Sequence, residues 1–228
     1  MASVSRLKSI DLTNFLWLFL CLGVAFFAVR AFTHEYRSAV MVRSLDAEMI
    51  EHLRASTLES LPVTVGGAGE LMEQCAVLLL GNPVLRMNPT LSGEVGESCA
   101  DAAETIISGN PAFARAYAAK LVANLRTFTA GDYIHAAATA PFEPWPLGTR
   151  LLAVERRVAL GGMVEGDLAD AVGEDIARAA QSDWGRRLLA SLYMRRPEMQ
   201  TLIQSRLETR PEAEQAGFLR VLRQVTNR

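Results

Sequence analysis

An all-α protein, with one membrane-crossing helix ahead of an irregular helical-repeat body, is what this 228-residue sequence predicts. Three observations carry that prediction. An uncharged run, Leu12 to Val29, lies between Asp11 and Arg30. Beyond it, apolar residues recur at helical spacing, and no segment sustains the two-residue alternation of a half-buried strand. Composition agrees: half the residues are apolar, 21% are charged and only nine are proline, which allows a core and leans helical.

The first element is the apolar run "LTNFLWLFLCLGVAFFAV". Its length reaches the lower range for a bilayer span, and Arg30 can snorkel so that the span extends to Thr33. Trp17 and Tyr36 stand near its two ends, as interfacial aromatics do. A buried core helix and a cleaved signal peptide with the leader Arg6 and Lys8 are the competing readings. The run is uniformly apolar and longer than a signal core, so an uncleaved anchor is expected over residues 12–33. Residues 1–11 then form a short cytoplasmic tail, although Arg30, Arg37 and Arg43 weigh against that orientation.

Residues 34–66 read as a stalk or linker helix, with Leu45, Met49 and Leu53 four apart and a break at Pro62. Residues 67–228 then form the soluble domain. Its first elements each carry a cysteine. Leu71, Cys75, Leu78 and Leu79 share one helical face, and so do Cys99, Ala103 and Ile106. The intervening "GNPVLRMNPTLSGEVG" reads as a reversing loop. A Cys75–Cys99 disulfide is expected because no other cysteine follows the anchor; two separate buried thiols are the alternative. The spacing excludes a CxxC redox motif, and no histidine cluster accompanies the sulfurs to make a zinc site.

Asn110-Pro111 reads as a helix start, with Phe113, Tyr117, Leu121 and Leu125 at four-residue spacing after it. "YIHAAATA" gives a short helix stopped by "PFEPWP", and "TRLLAVERRVAL" another stopped at Gly161-Gly162. Leu168, Val172 and Ile176 mark the next. Ser182 or Asp183 caps the one after, and Pro197 and Pro211 begin the last two. Short helices with short links predict a solenoid of degenerate repeats, each needing a neighbour to cover its apolar face.

Residues 110–145, "NPAFARAYAAKLVANLRTFTAGDYIHAAATAPFEPW", resemble a tetratricopeptide-like helix pair, and the similarity extends loosely to Leu192. Segments of this kind occur in membrane-anchored alphaproteobacterial proteins that accompany exopolysaccharide or O-antigen production. The resemblance implies an assembly or scaffold role. It carries over no active residue, and the Trp/Leu/Gly signature and 34-residue period of the family are missing.

No serine-nucleophile, HExxH or phosphate-loop pattern occurs. His34 sits at the membrane edge and His52 on a solvated face. His135 near the "PFEPWP" turn is where an enzyme site would be sought, if one carboxylate converged on it. Glu165, Asp167, Asp170, Glu174 and Asp175 read instead as a solvated helix face. Residues 44–110 hold ten acids against Arg54 and Arg86, and residues 178–228 ten arginines against five acids. The densest cations are Arg186, Arg187, Arg195 and Arg196. With Phe142 and Trp145, they are the candidate contacts for a partner protein or an acidic glycan. A pI of 6.0 and the lack of an interleaved aromatic platform argue against nucleic acid. No metal or cofactor is implied. The expected job is a single-pass inner-membrane scaffold whose periplasmic domain binds inner-membrane or periplasmic proteins in envelope or polysaccharide assembly. An accessory subunit held through its transmembrane helix is the alternative, with Gly23 and Ala25 as its small packing residues.

Overall fold

The computed structural model describes residues 12–43, 46–55 and 64–227. The leader cations Arg6 and Lys8, together with Leu45 and Pro62, lie outside them. Twelve α-helices and no strand occur among the described residues. The first, α1 (Leu12–Arg43), contains a stretch long and apolar enough to cross a membrane, Phe15–Tyr36, with none of its residues buried against the rest of the chain. Twenty-two residues at 1.5 Å each span about 33 Å, enough to cross a bilayer core.

The segment expected to be a stalk folds back in part. In α2 (Asp46–Arg54), Met49, Ile50 and Leu53 are buried in the core, so their spacing served a docked face. Arg54 fastens α2 by its 2.8 Å ion pair to Glu94. The end of the apolar helix is also tied to the body. The Glu35 carboxylate accepts a hydrogen bond from the Thr64 backbone N–H, at the start of α3 (Val65–Gly81).

The stretch read as a loop between the cysteines is almost wholly helical. It contains α4 (Pro83–Met87) and the first turns of α5 (Pro89–Gly109). Asn82 and Asn88 each accept hydrogen bonds from N–H groups of the first turn that follows, and each is followed by proline at the first helical position. At Asn110-Pro111 the same dipeptide makes only a turn, with Ala112 N–H donating to the Asn110 side chain. The helix α6 (Ala114–Ala123) starts after Phe113, whose side chain makes no capping bond, and ends before Leu125. The reversal expected of a loop occurs at the two asparagines, where α3 gives way to α4 and α4 to α5.

From α6 onward the helices stack in two rows. One row holds α6, α8 (Pro144–Ala159), α10 (Asp183–Arg195) and α12 (Glu212–Thr226), with successive members in contact. The other row holds α7 (Ala130–Thr139), α9 (Gly166–Ala180) and α11 (Pro197–Leu207), again in contact in order. This is solenoid stacking, in which each apolar face is covered by its neighbours. The row α6–α8–α10–α12 starts at Ala114, Pro144, Asp183 and Glu212, which keep no fixed period, so no tetratricopeptide repeat is defined. Gly161, with φ of 82°, ends α8 in the left-handed conformation that glycine adopts without strain.

The tightest approach in the stack is at Gly185. A Cβ there would lie 2.0 Å from the Ala179 carbonyl oxygen, in backbone that cannot move without shifting α9 from α10. Gly185→Ala is therefore expected to destabilise the body by about 1–3 kcal/mol, the usual range for overpacking. Thermal unfolding of the full chain in detergent measures it.

Candidate functional site

The Cys75 and Cys99 sulfurs are bonded, with Cα atoms 5.9 Å apart and both side chains fully buried between α3 and α5. Cys21 is the free cysteine and lies exposed in the apolar span. The carboxylates read as one solvated face divide into two groups. Glu165, Asp167, Asp170 and Glu174 are exposed, but Asp175 is fully buried. Its partner is Arg150, also fully buried, whose Nε and Nη2 donate to the two Asp175 oxygens at 2.7 and 3.1 Å. The Tyr133 hydroxyl donates to Asp175 at 2.9 Å, and Arg178 Nη1 donates at 2.9 Å from the rim. Arg150 Nη1 also donates to the carbonyls of Ala136 and Ala140, each at 3.3 Å. Burial, then the Asp175 charge, pushes the Tyr133 phenol well above its ordinary range, so it stays protonated as a donor.

This cluster joins α7, α8 and α9 and holds the start of the "PFEPWP" turn through Ala140. A signal for it existed in the sequence. Asp175 falls three residues after Val172 and seven after Leu168, on the apolar stripe of α9. Arg150 falls between Leu147 and Val154 on the stripe of α8. Opposite charges on facing apolar stripes of successive helices are the mark of a buried pair.

The aromatic turn is split in the same way. Trp145 is half-buried against the core, with the Arg115 guanidinium 5.9 Å from its ring centroid. Phe142 is 69% exposed, and Arg178 lies 6.0 Å from its ring. Helix α8 begins at Pro144, inside the turn, because proline suits the first helical position. Next to Phe142, between α7 and α9, runs an open groove of about 630 Å³. Ile134, Ala138 and Ala171 are among its apolar lining, and its charged lining is mixed: Asp167, Asp170 and Glu174 beside Arg178 and Arg206. The Asp175 network thus holds an exposed aromatic and a cation beside a groove with apolar lining and a rim of mixed charge.

The basic residues are not one face. Arg186 bonds Asp183 at 2.5 Å and the Ala180 carbonyl at 2.8 Å; Arg196 bonds Glu155 at 3.3 Å. Arg187 and Arg195 are exposed. Paired arginines of residues 178–228 find acids at Glu155, Glu174, Asp175, Asp183 and Glu214, none of them in residues 44–110.

His135 is exposed and packs on Tyr117, ring centroids 4.7 Å apart and planes tilted by 55°, at a groove of about 560 Å³. Three carboxylates line that groove with His135; two are engaged elsewhere, and Asp101 has no side-chain partner among the described residues. Glu104 pairs with Lys120 at 2.5 Å, and Asp132 accepts from the Thr129 N–H at 2.7 Å in a capping box that starts α7. Among the described residues no three metal-ligating side chains cluster. The Thr129 N–H, first, holds the Asp132 carboxyl below its ordinary range. Its contribution is thus present above the unfolded carboxylate range and lost as pH falls through the lower native value. Asp132→Ala is expected to cost about 1 kcal/mol at neutral pH. Denaturant titrations should show that difference shrinking below about pH 4.

No known protein family, curated protein or solved structure matches this chain. The fold and site define an all-α protein whose N-terminal helix is long and apolar enough to cross a membrane.

Proposed function

We propose that this protein is a membrane-tethered adaptor. Its first helix sits in the bacterial inner membrane. Its helical body works on the periplasmic side, bringing together proteins of envelope or polysaccharide assembly. The observation that carries this reading is the wholly uncovered apolar span, whose final turns bond the body through Glu35 and Thr64. Confinement of that kind raises the body's effective concentration beside other membrane proteins. The Cys75–Cys99 bond supports the exported side, because cytosolic reductants keep thiols apart. The exposed Phe142 beside an open groove with apolar lining supports protein contact over chemistry.

The test is a photo-crosslinking residue at position 142 of the full chain in living cells, combined with a topology reporter fused after Arg228. Discrete adducts with an envelope protein and a reporter active outside the cytosol are expected. A reporter active only in the cytosol, or no adduct from membrane-inserted protein, sinks the proposal.

A second reading, an accessory subunit gripped through α1 itself, is favoured by the bare span and the open space in front of Gly23. In that case Gly23→Leu, and not Phe142→Ala, abolishes co-purification of the partner.

A further inference from the structure

A separate cleft lies where the ends of α3, α6 and α8 meet α4 and the start of α5. It encloses about 500 Å³, and Arg86, Arg126 and Arg156 line it, with no carboxylate among the lining residues. Leu79, Leu85, Val122, Leu125 and Leu160 supply its apolar walls. Among the described residues none of these three arginines has an ion-pair partner, whereas nine other cations of the chain do. Glu155, the acid next to Arg156, is bonded to Arg196.

The three cations also differ in how they are held. Arg86 is oriented by donating Nη2 to the Leu80 carbonyl at 2.7 Å. Arg156 is half-buried, and burial followed by the nearby Arg86 charge lowers its pKa. Arg86 and Arg156 repel each other beside apolar walls, a field that an oxyanion in the cleft relieves, and the planar fork of arginine fits phosphate or carboxylate in two-point geometry. An ion alone would leave the apolar walls wet. A ligand with an apolar stem on its anionic group would cover them.

We propose that this cleft binds an oxyanion carried on an apolar group, a phosphate ester or carboxylate, through Arg126 and Arg156 with Arg86 at its edge. The site is distinct from the groove beside Phe142 and does not depend on the adaptor reading. The ligand's source is either a soluble ester or a lipid headgroup.

The experiment places the full chain in phosphatidylcholine nanodiscs and titrates 1-naphthyl phosphate, reading its fluorescence anisotropy. Saturable binding is expected, with competition by inorganic phosphate. Arg126→Gln with Arg156→Gln should weaken it at least tenfold. Arg220→Gln with Arg223→Gln, exposed arginines on α12 that remove the same charge elsewhere, should leave it within twofold. Arg156 also complements the C-terminal end of α8, a stability role that the melting temperature reads and ligand binding does not. Should the double variant melt early, the exposed Arg126→Gln alone must still weaken binding. Competition by nanodiscs containing phosphatidylglycerol identifies a lipid headgroup as the source; its absence identifies a soluble ester. No saturable binding overturns the proposal. So does 1-naphthol binding as tightly as its phosphate, or equal loss from both arginine pairs.

Discussion

Arg150→Met is expected to lower the stability of the helical body by about 3–5 kcal/mol, the range for breaking a buried ion pair from one side. The reason is the fate of Asp175. Its carboxylate is fully buried and loses two of its four hydrogen bonds, leaving only Tyr133 and the rim residue Arg178. A charge in that setting must be neutralised or hydrated, and either route opens the α8–α9 contact. For a body of this size the midpoint of thermal unfolding should fall by roughly 10 °C. Changing both partners, Arg150→Met with Asp175→Leu, should cost much less than the sum of the single changes, because neither charge is then stranded. Strict additivity in that double-mutant cycle, read by thermal unfolding of the full chain in detergent, would contradict the pairing. The functional consequence is local. The Ala140 and Arg178 contacts that place Phe142 depend on this pair, so crosslinking from position 142 should weaken with it.

Cys75→Ala with Cys99→Ala should cost about 3–4 kcal/mol, the chain-entropy contribution of a loop of this length. The bond closes 24 residues and staples α3 to α5 within the core. Adding reductant under unfolding conditions should lower the stability of the wild-type chain toward that of the double variant and leave the variant unchanged. Maleimide labelling of denatured, never-reduced wild type should reach Cys21 alone. Labelling at Cys75 and Cys99 would remove both the bond and the case it makes for an oxidising compartment.

Much of the fold was legible because helix signals are local. The uncharged run gave α1, apolar spacing located α3 and α9, and a capping Ser182 located α10. Proline at the first helical position located α11 for the same reason. Boundaries went astray where one local signal admits two outcomes. Asn-Pro caps α4 and α5 but only turns the chain at Asn110, since the side-chain bond forms in either setting. The candidate site was less legible. Trp145 and Phe142 are three residues apart and equally aromatic, yet one is packed and one exposed. Arg186 and Arg196 looked like open cations and are bonded to Asp183 and Glu155.

By itself, the sequence determined that this is a helical protein with an apolar N-terminal helix and two inward-facing cysteines in its body. Those properties depend on residues a few positions apart, whose spacing alone fixes a shared face. Only the tertiary structure decided that Met49 and Leu53 dock, that Asp175 meets Arg150, and that Arg86, Arg126 and Arg156 converge without an acid among them. These contacts join residues far apart in the chain. Their energies come from exclusion of water, which no local pattern records.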